Sequence, residues 1–361
     1  MRLTDLRLRQ FRNYDKLDLE FSPGFHIFTG RNGQGKTNVL EAIYALATLR
    51  SFRGVGSSQM IRFGQKGFFI GGSIKSREPH QVKYYWSLKE KKLCLNNTPI
   101  FKISDFFGVL RAVVFCSDDL LLVKGPSKGR RRYLDYIAAQ GAPSFLNDIQ
   151  TYHKALMSRN AALKGDPRRL DEQLIESFTP ALIRSGEKLM ATRAKLIPEL
   201  CETAKAAYAT VASGSAESLA LDYLPSVKED FTIELSRSRE RERFQKHTVV
   251  GPHRDDLKIT LDNRPVAQFG SEGQKRSVAV ALKIAQVVYL TKIHGVPPIL
   301  LIDDIMGELD AQRRAALLPL LEDAHQARGQ VFMTCTEKNW TQELTRQPQF
   351  WNVGDGEVRM V

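Results

Sequence analysis

The chain has 361 residues, 42% apolar and 26% charged, a balance that suits one or two packed domains; no apolar run approaches the ~20 residues of a membrane span. Its net charge of +13, from 53 basic against 40 acidic side chains, favours a polyanionic partner, nucleic acid first, through counterion release. Cys94, Cys116, Cys201 and Cys335 lack metal or disulfide spacing, so reduced, buried thiols are expected, and with no signal-peptide pattern at the N-terminus the cytosol is the expected compartment.

Residues 1–21 alternate in β fashion, with Leu6 and Leu8 before, and Leu17, Leu19 and Phe21 after, a tip at Phe11-Arg12-Asn13-Tyr14. That is a hairpin whose Arg12 and Asn13 either touch a nucleotide or form a solvated turn. Phe25 to Phe28 reads as a strand, and Gly30-Arg31-Asn32-Gly33-Gln34-Gly35-Lys36-Thr37 then fits G-x-x-x-x-G-K-[ST]. Val39, Leu40, Ile43, Leu46 and Ala47 follow at helical spacing, completing strand, loop and helix. Glycines there let backbone N–H groups curl around phosphate oxygens, and the helix start adds the positive end of its dipole. Lys36, expected at a solvated site, would reach the β- and γ-phosphates, and Thr37 the Mg²⁺.

Short apolar runs between Gly67 and Ile103, broken by turns such as Asn96-Asn97, predict an antiparallel sheet, and Leu110 to Phe115 predicts one more buried strand. Helical periodicity runs from Ser117 to about Ala212, with Thr179-Pro180 as a helix start and Pro198 as a kink. This insertion lacks the sustained heptads of a coiled-coil rod. Lys124, Lys128, Arg130, Arg131 and Arg132 crowd a Gly/Pro loop with no acidic residue among them, which makes them candidates for DNA-backbone contact. Arg237 to Lys246 alternates Arg with Glu and reads as a solvated face.

Leu257 to Leu261 predicts a strand, after which Ser271-Glu272-Gly273-Gln274 opens a helix through Val278, Ala281, Ile284 and Val288. Ser271 either caps that helix or offers its hydroxyl and backbone donors to an anion. Ile299 to Ile302 is an apolar strand ending in Asp303-Asp304, a Walker B pattern in which Asp303 serves the metal and Asp304 polarises a water. Asp310 caps the next helix, Gln330 to Thr334 is a buried strand, and Asp355-Gly356 turns a terminal hairpin.

This order of motifs resembles ABC-type ATPases, and the 235 positions from Lys36 to Ser271 leave room for a β arm and a helical insertion, as in a chromosome-associated member. Across the whole chain the sequence resembles the RecF family of bacterial recombination mediators. The resemblance rests on LRLRQFRNY at Leu6, GRNGQGKT at Gly30, Ser51-Phe52-Arg53, VFCSDDL at Val114, KGPSKGRRRYLD at Lys124, GPHRDDL at Gly251, SEGQKRS at Ser271 and LIDDIMGELD at Leu301.

The resemblance implies an α/β fold, an ABC-type P-loop ATPase head with a mixed central sheet and antiparallel β arm, lobe I at 1–109 and 248–361, and a mainly helical lobe II at 110–247. It implies ATP and Mg²⁺ as cofactors, an ATP-dependent homodimer, and a weak DNA-dependent ATPase. Ser271, Glu272, Gly273 and Gln274 would complete the γ-phosphate site of the opposite subunit, with Asp310 in the D-loop. Double-stranded and gapped or junction DNA, RecO and RecR are the implied partners, in cytoplasmic, nucleoid-associated repair and replication restart, with no membrane. The Mg²⁺-binding glutamine of many ABC ATPases has no counterpart near Phe115, so its role falls to Ser117 or Asp118 or is absent, and Thr336 stands where transporters carry a histidine. Another chromosome-associated ABC ATPase, or a transporter subunit, is the alternative.

Overall fold

Two six-stranded sheets face each other across a single helix, α1 (Lys36–Thr48). The computed structural model describes residues 1–76, 78–165, 171–212, 216–326, 329–335 and 347–361, without the side chains of 308 and 323–326. The first sheet is antiparallel, in the order β2-β1-β4-β5-β6-β7. It comprises β1 (Arg2–Phe11), β2 (Tyr14–Glu20), β4 (Gly67–Lys75), β5 (Pro79–Ser87), β6 (Lys91–Leu95) and the two-residue β7 (Thr98–Pro99). The β1–β2 hairpin forms as expected, with Leu6 opposite Leu19 and Leu8 opposite Leu17, and all four side chains are buried in the core that contains α1.

The second sheet, β15-β14-β3-β13-β12-β8, is mixed: β3 (Gly24–Thr29), β8 (Ala112–Cys116), β12 (Ile299–Asp303), β13 (Gln330–Cys335) and β14 (Gln349–Gly354) are parallel, and β15 (Glu357–Met360) closes the edge antiparallel. Strands β3, β8, β12 and β13 are covered on both faces, which is why they read as continuous apolar runs rather than alternating ones. Along β12, Ile299 and Leu301 pack in the α1 core, and Leu300 and Ile302 in the core beneath α10 (Glu272–His294) and α12 (Ala311–Gln326).

A helical lobe is built from α4 (Ser127–Gly141), α5 (Phe145–Leu163) and α6 (Glu172–Val211), with the short helices α2 (Ile103–Phe106) and α3 (Leu121–Lys124) before them and α7 (Phe231–Arg237) and α8 (Arg239–Gln245) after. A three-stranded sheet, β11-β10-β9, completes it: β9 (Leu219–Leu224), β10 (Asp256–Leu261) and β11 (Arg264–Pro265), followed by α9 (Val266–Phe269).

Two sequence expectations change here. The divisions at 110 and 248 do not follow the packing: β8 pairs with β12 in the central sheet, whereas β10 pairs with β9 and shares the helical lobe's core with Val278 and Ala281 of α10. Nor does a helix start at Thr179-Pro180. Helix α6 starts at its cap Asp171, which accepts from the Leu174 N–H, and runs 40 residues, about 60 Å, through both Pro180 and Pro198. Packing along α5 and α10 outweighs the lost helical hydrogen bonds. Of the four thiols, Cys116 and Cys335 are buried and Cys94 and Cys201 half-buried.

His26 on β3 is buried, stacked on Phe332 at 4.9 Å, and held as a neutral ring. Its Nε2 donates to the Ser22 carbonyl at 2.8 Å while its Nδ1 accepts from Trp351 Nε1 at 3.2 Å, and burial lowers its pKa to about 4. Below the ordinary pKa of 6.5 the unfolded chain takes up a proton that the folded chain refuses. This residue therefore makes no difference above pH 6.5 and removes stability as the pH falls toward 4, by about 3 kcal/mol in all. Denaturant unfolding at pH 7 and pH 4.5 should show a smaller acid loss in His26→Gln than in the parent; equal losses would refute the assignment.

Candidate nucleotide-binding site

The loop between β3 and α1 follows a path that its glycines make possible. Gly30 and Gly35 sit at φ +143° and +112°, and a Cβ on Gly30 would lie 2.3 Å from the Val353 carbonyl oxygen, one on Gly35 2.5 Å from Asn13 Nδ2. From behind, Asn13 Nδ2 donates to the Gln34 carbonyl at 2.9 Å and Tyr14 hydroxyl to the Gly35 carbonyl at 3.0 Å, while Gln34 Oε1 accepts from the Asp355 N–H at 3.0 Å. The hairpin tip and the terminal hairpin therefore fix the loop from two sides.

Lys36 is not at a solvated site. Its side chain is almost fully buried, its ammonium donating to the carbonyls of Gly30 at 2.7 Å and Arg31 at 3.1 Å and to Asn32 Oδ1 at 3.4 Å. The charge is held at the centre of the loop, where β- and γ-phosphate oxygens would take over those bonds.

Arg12 is engaged behind the loop rather than across it. Its Nε and Nη2 donate to Glu41 at 2.7 and 2.6 Å and its Nη1 to the Gln59 carbonyl at 2.7 Å, so a nucleotide contact would fall to the N–H groups these bonds leave over. Glu41 is itself fully buried on α1 and also accepts from Ser51 Oγ. No sequence signal singles out this carboxylate: it lies at a helical position indistinguishable from a surface one, and only its distant partners reveal its role.

At the other end of the site, Thr37 Oγ1 donates to Asp303 Oδ1 at 2.8 Å, and Thr334 Oγ1 donates to the same oxygen at 2.9 Å while accepting from the Asp304 N–H at 2.9 Å. β13 lies between β3 and β12, so Thr334 is the bridge that its register, opposite Asp303, demands. Burial raises the Asp303 pKa, the two hydroxyl bonds oppose the shift, and Asp304 adds to it. Asp304 occupies the left-handed region at φ +53°, which a short acidic side chain tolerates. One carboxylate and one hydroxyl beside a phosphate-shaped loop form a donor set for Mg²⁺ with phosphate oxygens; among the described residues no cluster of three or more His, Cys, Asp or Glu offers a dedicated cage.

Ser271 caps α10, accepting from the Gln274 N–H at 3.2 Å, and Gln274 Oε1 accepts in return from the Ser271 N–H at 2.6 Å. The partners of this segment are Lys124 on Glu272, Glu217 on Gln274 and Arg313 on the Gly273 carbonyl, none of them in the phosphate loop. Asp310 caps α12 through the Arg313 N–H at 2.9 Å. After β8, Ser117 and Asp118 are exposed, and Asp119 accepts from the Cys116 N–H at 2.9 Å and lies 3.4 Å from Lys283. Thr336 lies outside the described residues.

The cationic run at 124–132 is not uncompensated; its acids come from far along the chain. Lys124 pairs with Glu272, Arg130 makes two bonds to Asp256 at 2.7 and 2.9 Å, and Arg131 donates to the Asp255 carbonyl at 2.6 Å. Arg132 instead lies over the Tyr136 ring at 5.5 Å, and Arg50 lies 5.9 Å from the same ring. With Lys128 and Lys91 they line a cleft of about 480 Å³, whose one lining carboxylate among the described residues, Asp135, is already held by Arg193 at 2.9 and 3.0 Å.

Residues 2–356 match the family model described as "RecF/RecN/SMC N terminal domain". Curated proteins named "DNA replication and repair protein RecF" are similar over full length. The one from Lactococcus lactis subsp. cremoris is 34% identical, covering 99% of both chains, and the one from an Exiguobacterium species 35% identical with the same coverage. Among solved structures, a recombination mediator RecF bound to ATP, described as in the RecFOR pathway, superposes with a TM-score of 0.90 at 29% identity, over 99% of this chain and 97% of that one. The Smc head domain of Pyrococcus furiosus, at a TM-score of 0.56 and 17% identity over 99% of this chain and 95% of that one, shares the fold.

Removing the buried carboxylate tests how the hairpin tip is held. Glu41→Ala leaves the Arg12 guanidinium without its partner and should lower the unfolding free energy by about 2 to 4 kcal/mol. Arg12→Met combined with Glu41→Leu should cost less than the sum of the single changes. Additive losses in denaturant titrations would show that the pair is not coupled.

Proposed function

The chain belongs to the RecF family, and on that premise we propose that it is an ATP-dependent DNA-binding protein of recombinational repair and replication restart. The observation that carries this reading is the division of one nucleotide site between two places: Lys36, Thr37 and Asp303 are assembled around the phosphate loop, whereas Ser271–Gln274 heads α10 among other partners. Two copies facing each other would bring the second group onto the nucleotide held by the first. Gly30–Thr37 bind ATP through backbone donors and the Lys36 ammonium, Thr37 and Asp303 hold Mg²⁺, and Asp304 orients and polarises the attacking water. Bound Mg²⁺ supplies charge neutralisation at the phosphates. Ser271, Glu272, Gly273 and Gln274 complete the γ-phosphate site in trans, with Asp310 beside them.

ATP thus closes the dimer on DNA and slow hydrolysis reopens it, while one subunit alone, lacking a complete site, hydrolyses poorly. The solved relatives in the RecFOR pathway support RecO and RecR as partners; gapped or junction DNA on the nucleoid is the proposed place of action. No described helix is long and apolar enough to cross a membrane, and the net charge of +13 is more than a transporter's ATPase subunit requires.

For the DNA backbone we propose the cleft with Arg50, Lys91, Lys128 and Arg132 rather than the whole 124–132 run, because Arg130 and Arg131 are spent internally. Changing Arg50, Lys128 and Arg132 together to Ala should weaken duplex binding regardless of sequence and flatten its salt dependence by up to about three units of slope. An unchanged slope in a salt titration would remove the cleft from the DNA surface. Asp304→Asn should retain ATP and accumulate the closed dimer on duplex in sedimentation; hydrolysis at the parental rate would show that another group handles the water.

A further inference from the structure

Arg313 joins two segments that the proposed function treats separately. Its Nη1 pairs with Asp310, its Nη2 donates to the Gly273 carbonyl at 2.9 Å, and its Nε donates to Ser277 Oγ at 3.0 Å. Every nitrogen of the guanidinium is thereby engaged, in a side chain only one-fifth exposed, and Ser277 is buried. A Cβ on Gly273 would lie 2.9 Å from Arg313 Nη2, so a larger residue there would displace the guanidinium from its present bonds.

Chain connectivity gives this contact its meaning. Asp310 lies between α11 (Ile305–Glu308) and α12, directly downstream of Asp303 and Asp304, which belong to the protomer's own phosphate site. Gly273 and Ser277 lie in the first turns of α10, whose leading residues serve the partner's site in the proposed dimer. α10 and α12 both pack on the central sheet through apolar contacts, which fix the helices but do not by themselves join the Asp310 segment to the start of α10. A planar five-donor fork bonded to a carboxylate, a carbonyl and a hydroxyl at once fixes the relative position of those ends, which a flexible ammonium would not do.

We propose that Arg313 is a positioning residue that locks the Asp310 segment to the start of α10. One protomer's Asp303–Asp304 strand end and the groups it presents to its partner then move as one unit. This rests on the composite-site reading. It predicts that Arg313 acts on the partner's nucleotide and not on its own.

The experiment uses full-length protein and ATP. Arg313→Ala should bind ATP within about twofold of the parent yet hydrolyse it at least tenfold more slowly, and Arg313→Lys, keeping the charge without the fork, should also be impaired. Mixed one to one with Lys36→Ala, Arg313→Ala should regain about a quarter of the parental rate. Half of randomly formed dimers would be mixed, and each would hold one intact composite site. The benchmark is Ser271→Arg mixed with Lys36→Ala.

Recovery in both mixtures supports the proposal. Recovery in the Ser271 mixture alone overturns it while leaving the composite site standing; recovery in neither removes the composite site and this inference with it. Loss of ATP binding in Arg313→Ala, or parental hydrolysis by that variant alone, also overturns it.

Discussion

Helix α1 has a sheet on each side, so ten of its thirteen residues are buried, and this confinement sets the terms for the site at its amino end. A helix so enclosed cannot tilt or slide, and the loop that precedes it inherits that rigidity. Burial also leaves no solvent for the polar group α1 carries at its centre. Glu41 is satisfied only because Arg12 and Ser51 come to it from two other segments, and those segments are thereby registered against the loop. The phosphate site is shaped less by its own eight residues than by what encloses the helix behind them.

The helical lobe uses buried charge in the same way. Arg193 spans Asp135 and Asp255, and Asp255 accepts in turn from the Tyr223 hydroxyl and the Ser226 N–H, while Arg159 and Glu242, both almost fully buried, meet beside Thr248. Such pairs contribute little net stability over apolar replacements, but breaking one strands the other, so they discriminate strongly against misplaced packing. They tie α4 and α6 to the segment around Asp255, and through β10 to the third sheet, and tie α5 to α8 and Thr248.

Local chemistry made much of this legible in the sequence. The phosphate loop, the Ser271 capping box, the apolar β12 ending in two carboxylates, and the turns at Asn96-Asn97 and Asp355-Gly356 each declare themselves within a few residues, because their cause is local: a positive φ, an unsatisfied N–H, a strand buried on both faces. What escaped was whatever depends on a partner far along the chain. The charges of Lys124, Arg130 and Arg131 look unopposed until Glu272, Asp256 and Asp255 fold beside them. Thr334 is one hydroxyl in an apolar strand until sheet order sets it next to Asp303. Pro180 reads as a start signal because helix propensity is local, whereas the packing that carries α6 through it is not.

Among the described residues the antiparallel sheet ends in β7 on one side and β2 on the other, and both strands are ill suited to receiving another strand. β7 is two residues long and contains Pro99, which offers no N–H, with Lys91 and Lys92 on β6 beside it. On β2, Asp15, Lys16, Asp18 and Glu20 alternate with the buried Leu17 and Leu19. Strand addition would have to strip water from those charges, so the arm resists the edge-to-edge stacking from which fibrous aggregates grow. Copies of this chain can therefore lie close together without the edges of this sheet becoming a route to irreversible association.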